Sequence, residues 1–88
     1  MDFLNSSNFN KFYTLYYNRC FLFAKSYVHN DLVAEDVASE ALIKLWELSD
    51  KETIDNPLRL LYIVLKNKAL DYLRHEKIKQ KTLEMMSV

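Results

Sequence analysis

Apolar residues recur along this chain at helical spacing in three runs, separated by two polar breaks. Phe9, Phe12, Tyr13, Tyr16, Cys20, Phe23, Ala24 and Tyr27 stand three or four positions apart, the signature of one buried helix face. Ser7 or Asn8 is the expected cap of this helix, which should end near Val28. His29-Asn30-Asp31 then turns the chain. Asn30 or Asp31 can cap a second helix, whose first turn places Glu35 and Asp36 near the positive end of the dipole. That helix is expected to reach Leu48. Ser49 to Asp55 has no apolar period and reads as a loop. Asn56-Pro57 is a strong restart, a cap followed by proline at the first helical position. The third helix meets no breaker through Lys77, and the residues after Lys81 are expected to fray.

At about 100° per residue, each helix divides into faces. In the second, Ala34, Val37, Ala38, Ala41, Leu45 and Leu48 share a core arc, with small alanines that admit a close neighbour. Opposite them, Asp36, Glu40, Ile43 and Glu47 form a ridge with Ser39 beside it. Leu42 and Trp46 flank that ridge. A solvated acidic face competes with a docking surface here, and the apolar Ile43 inside the ridge favours docking. In the third helix, Leu58, Leu61, Tyr62, Leu65, Ala69, Tyr72 and Leu73 form the core arc. Arg59, Lys66, Arg74, Lys77 and Lys81 fall within about 80° of each other on another arc, with Asn67 at its edge. A row of bases of this length suits a phosphate backbone. It also suits plain solubility, and Ile63 and Leu70 interrupt it.

Composition narrows the class. The chain has 88 residues, no glycine and one proline, which excludes a strand-rich fold with tight hairpins. The expected fold is all-α: a single domain over residues 1–88, built as a compact bundle of three long helices with an irregular loop between the second and third. Residues 1–7 and 82–88 are expected to be flexible. The net charge is zero, yet the signs are sorted. From Asp31 to Asn56, eight acids face two lysines, a net of −6. From Pro57 to Lys81, seven bases face two acids, a net of +5. Such a division implies two partners of opposite sign, one a basic protein surface and the other nucleic acid.

Little chemistry is on offer. Cys20 is the only cysteine, so no internal disulfide forms, and a reducing, cytoplasmic setting fits. The start of the chain has no signal-peptide pattern, and no segment has the length of a membrane span. His29 and His75 stand apart, without ligand spacing, and no glycine-rich phosphate cradle exists. No enzyme activity, metal or cofactor is expected.

Two runs then carry a resemblance. Ala34-Glu35-Asp36-Val37-Ala38-Ser39-Glu40-Ala41-Leu42-Ile43-Lys44-Leu45-Trp46, followed by Asn67-Lys68-Ala69-Leu70-Asp71-Tyr72-Leu73-Arg74, resembles region 2 of the extracytoplasmic-function (ECF) sigma factors. Phe12-Tyr13-x-Leu15-Tyr16 and Phe23-Ala24-x-x-Tyr27-Val28 fit that domain's first helix, so the likeness covers about residues 9 to 80.

The resemblance implies a non-enzymatic transcription-initiation module. Asp36, Ser39, Glu40, Ile43 and Glu47 would meet the clamp helices of the β′ subunit of RNA polymerase. The loop Ser49 to Asn56, with Thr53, Ile54 and Asn56, would receive a base flipped out of the promoter −10 element. Arg59, Lys66, Asn67, Arg74 and Lys77 would hold the non-template strand. An anti-sigma factor is a further expected partner. The family continues into a helix-turn-helix domain that reads the −35 element. This chain stops before it, so either it is an excised domain or the protein is a truncated relative. Ser39 stands where the family usually has glutamine, and the loop has no aromatic to stack on a base. Its acids Asp50, Glu52 and Asp55 would repel phosphate. The competing class is a helical protein-interaction module without DNA binding.

Overall fold

The structure, a computed structural model, describes residues 6–51 and 54–86. The described residues form three helices: α1 (Ser6–Val28), α2 (Asp31–Lys51) and α3 (Pro57–Met86). The all-α bundle expected from the apolar spacing is what the chain adopts, and each helix packs against both others.

The helix ends show how the connections are made without glycine. His29 takes a left-handed backbone (φ 54°) and donates its N–H to Lys25 O at 3.0 Å, closing α1 with the turn that glycine usually makes. One residue later Asn30 caps α2, its Oδ1 accepting the Val33 N–H at 3.0 Å. A two-residue joint of this kind turns α2 back antiparallel to α1. The Lys25–Asp31 ion pair, at 2.8 Å, spans the same joint. Asn56 repeats the device at α3, its Oδ1 accepting the Arg59 N–H at 3.1 Å, and Pro57 follows at the first helical position.

Two boundaries differ from the sequence reading, the start of α1 and the end of α2. α1 is already helical at Ser6, so Ser7 and Asn8 lie inside it. α2 runs to Lys51 rather than Leu48. Ser49 Oγ donates to Trp46 O at 2.7 Å, a local bond within the last turn that an apolar period does not reveal. The linker is therefore shorter than Ser49–Asp55. α3 continues to Met86, past Lys81.

α2 is the central element. It buries Ala34, Val37, Ala38, Ala41, Leu42 and Leu45, against Phe12, Cys20, Ala24 and Val28 of α1 and Leu61, Leu65 and Ala69 of α3. Leu42, which flanks the ridge, is wholly buried, because α1 covers one flank of α2 while α3 covers the other. Leu73 departs the other way: it is 36% exposed, since α3 has by then passed the end of the bundle. Full burial of a leucine contributes about 1.5–3 kcal/mol, so Leu42, Leu45, Leu61 and Leu65 anchor the fold. Rings tie α1 to its neighbours: Phe9 stacks on Trp46 at 5.2 Å, and Phe23 meets Tyr62 edge-on at 5.1 Å.

Tyr72 is the last α3 residue packed on the core. The remaining turns to Met86 project about 20 Å at the standard helical rise. This overhang gives the molecule a 59 Å long axis and a radius of gyration of 15.5 Å, against about 12 Å for a globule of this length.

Candidate protein and nucleic-acid interfaces

The acidic ridge of α2 is assembled largely as its spacing implies. Asp36, Glu40 and Glu47 are exposed, and Ile43 stands among them at 45% exposure. Trp46 takes two roles. One side of its ring stacks on Phe9, yet 40% of the residue remains accessible. The outward surface of α2 thus mixes carboxylates with two aliphatic groups, Leu32 and Ile43, and one aromatic, Trp46.

Ser39 is placed differently from its neighbours. It is half-buried, and its Oγ lies 3.1 Å from the Tyr13 hydroxyl of α1. Tyr13 in turn stacks on Tyr17 at 5.5 Å. Burial, and next the nearby Glu35 carboxylate, push the Tyr17 phenol above its ordinary 10.0, while a hydrogen bond with Ser39 pulls it back. Ser39 therefore locks α1 to α2 directly behind the ridge. The apolar spacing of α1 put Tyr13 in the core face but did not show that its hydroxyl would seek α2.

Glu40 leans toward α3, where its Oε2 lies 3.6 Å from Lys68 Nζ. Lys68 counted toward the basic half of the chain, but it does not belong to the basic row. About half a helical turn of rotation separates it from Arg59. That rotation was legible in the sequence; its acidic partner was not.

On α3, Arg59, Lys66, Asn67, Arg74 and Lys77 are all exposed. Arg74 Nη1 lies 3.6 Å from Asp71 Oδ1, one turn back. Ile63 and Leu70 break the row at 46% and 37% exposure, giving bases interleaved with flat apolar patches. Asn67, Lys68, Leu70, Asp71 and Arg74 line a shallow groove there.

Of the linker residues, Thr53 lies outside the described residues. Ile54 is partly buried and packs against the core, so it anchors the linker from below. Asn56 is exposed but spends its side-chain oxygen on the α3 cap. Asp55 is exposed.

Burial pushes the Cys20 thiol up to about 11, which keeps it protonated and unreactive at neutral pH. Among the described residues no cluster of three or more His, Cys, Asp or Glu is placed to hold a metal ion. No described helix is long and apolar enough to cross a membrane.

The arrangement defines a small helical module with a carboxylate-rich face on one helix and a base-rich face on the next. The sigma-70 region 2 family matches residues 12–78, and the chain belongs to that family. Neither a curated protein nor a solved structure matches it. Region 2 is a transcription-initiation domain of sigma factors, which interacts with RNA polymerase and takes part in promoter melting. The matched span begins at Phe12, the first α1 residue buried among those described, and closes just beyond the bundle at Ile78. It therefore coincides with the packed part of the fold.

Proposed function

We propose that this chain is the region 2 domain of an ECF-type sigma factor acting in the cytoplasm. Its α2 ridge, Asp36, Glu40, Ile43 and Glu47, docks on the β′ clamp helices of RNA polymerase, with Ser39 held behind it. Its α3 row, Arg59, Lys66, Asn67, Arg74 and Lys77, follows the non-template strand of the −10 element. The linker, with Thr53, Ile54 and Asn56, receives the extruded base. An anti-sigma factor covering either face would silence the domain.

The observation that carries this reading is the placement of opposite charge on two adjacent helices of one packed core. Extrusion of a base costs a few kcal/mol, which backbone contacts and a receiving site must offset. Bases along a helix hold a single strand by its phosphates and carry no sequence preference. Exposed Ile63 and Leu70 between those bases offer apolar surface to unstacked nucleobases.

The decisive experiment uses Asp36→Arg. Asp36 is exposed, so its replacement changes stability by no more than about 0.5 kcal/mol, and the helical circular dichroism stays the same. Capture of a β′ clamp-helix fragment is lost, while binding of a single-stranded oligonucleotide at low salt is kept. Undiminished capture would show that the ridge faces solvent.

A further inference from the structure

The outer face of α1 takes no part in either interface described above. This helix carries three bases, Lys11, Arg19 and Lys25, and no acid. Leu15 and Leu22 stand seven residues apart on that face, 69% and 57% exposed. Lys11, Leu15, Asn18, Leu22 and Lys25 step by four and three, the spacing of a seam that packs on another helix. Lys25 is drawn to Asp31, but among the described residues no acid pairs with Lys11 or Arg19. The Arg19 guanidinium lies 5.7 Å from the centre of the Tyr16 ring, a contact that leaves its charge intact. Lys11 and Leu15 also line a shallow recess with Asn10 and Thr14, and Thr14 spends its hydroxyl on Asn10 O at 2.9 Å. Two exposed leucines rimmed by unpaired bases suit a helix that presents acids around apolar groups.

This chain contains such a helix. On α2, Leu32 and Ile43 are 74% and 45% exposed, among the exposed carboxylates of Asp36, Glu40 and Glu47. We propose that the outer face of α1 docks on the acidic face of α2 of a second copy. With the two helices antiparallel and Leu15 set against Ile43, Lys11 falls opposite Glu47. Arg19 then comes beside Glu40, and Leu22 lies within one turn of Leu32. The net charge of zero removes the overall repulsion that would keep copies apart. Each helix packs on both others, so the outer faces of α1 and α2 point in different directions. The contact is therefore heterologous and leaves one face of each kind open at its ends. A single helix pair covers less than the ~800 Å² per partner of a standard interface. Association is accordingly weak, dependent on concentration and further weakened by salt. By the functional reading above, the joined copy has its polymerase-docking face covered; the association itself uses no part of that reading.

Sedimentation equilibrium of the full chain at low salt reads the association directly. The weight-average mass is expected to rise with concentration and to return to that of one chain at high salt. Leu15→Glu sets a carboxylate against the acidic face of the next copy, and Ile43→Lys sets an ammonium against the basic α1. Both positions are exposed, so the helical circular dichroism stays the same. Each variant alone is expected to keep the mass of one chain over the same concentrations. Mixed in equal amounts, the two should form a one-to-one complex, because the first keeps its α2 face and the second its α1 face. Loss of association in only one variant would mean that like faces pair with like, and would overturn the proposal. Loss in both with no recovery on mixing, or association undiminished in both, would overturn it too. A single-chain mass for the unsubstituted protein up to millimolar concentration would do so outright. None of these results touches capture of the β′ clamp-helix fragment, which tests the functional reading separately.

Discussion

The Tyr13 hydroxyl and Ser39 Oγ meet at 3.1 Å across the α1–α2 interface, 26 residues apart in sequence. This contact fixes the α2 face from behind, so Ser39 contributes to the ridge by holding it and not by reaching outward. A hydrogen bond of this kind contributes about 0.5–1.5 kcal/mol. Ser39→Ala and Tyr13→Phe are each expected to lose that much in urea denaturation. The double variant should lose less than the sum, because one contact is removed twice. Both single variants should also weaken capture of the clamp-helix fragment to a similar degree. Weakening by Ser39→Ala alone would make Ser39 a direct contact instead.

The basic row predicts a definite salt response. Each phosphate neutralised on a single strand contributes about −0.7 to the slope of log K against log salt. If Arg59, Lys66, Arg74, Lys77 and Lys81 each meet one phosphate, the slope is about −3.5. Lys66→Ala should make it shallower by about 0.7 while leaving any base preference unchanged. Fluorescence anisotropy over a range of chloride concentrations measures both quantities. A flat response would remove the row from the interface altogether.

How much of this was open to a reader of the sequence depends on how many neighbours each residue has. The three helices followed from spacing, and the Asn56-Pro57 start followed from local backbone chemistry. The basic row needed only rotation about one axis. Leu42 and Lys68 needed knowledge of what stands on either side of α2 and α3. A single helix wheel assigns one buried arc, whereas α2 is flanked on two sides, so its buried arc widens to include Leu42. Ser39 was placed beside the ridge, but nothing in α2 itself announces a tyrosine approaching it from α1. The last turn of α2 was missed because Ser49, Asp50 and Lys51 are polar and leave no apolar signal.

His29 shows another limit of local reading, and it yields a stability prediction. With no glycine in the chain, a histidine occupies the left-handed position that ends α1. A side chain there costs roughly 1–2 kcal/mol relative to glycine's freedom. Glycine's greater freedom in the unfolded chain offsets part of the gain. His29→Gly is therefore expected to stabilise the domain by about 1 kcal/mol, or ~4–8 °C in Tm for a chain of this size. His29→Val should do the opposite, because a β-branched side chain is worst suited to positive φ. Thermal melts of the two variants separate the backbone explanation from loss of the imidazole, which both remove.

Cys20 gives the pH dependence. It is 1% exposed, inside the core, and burial lifts its thiol from an ordinary 9.0 to about 11. Below pH 9 both the folded and unfolded chains keep the thiol proton, and the group contributes no pH dependence. Between about 9 and 11 the unfolded chain releases the proton while the folded chain retains it. Stability then falls with rising pH by up to ~1.4 kcal/mol per unit, approaching a total of about 2–3 kcal/mol. Above that window the folded thiol ionises too and the loss levels off. The Tyr17 phenol, also raised by burial, adds a loss of the same sign above its ordinary 10.0. Cys20→Ala should therefore remove most of the decline between pH 9 and 10 while leaving the part that begins higher. Urea denaturation at half-unit steps from pH 7 to 11 measures the slope. An identical decline in the variant would assign the alkaline loss to groups other than the buried thiol.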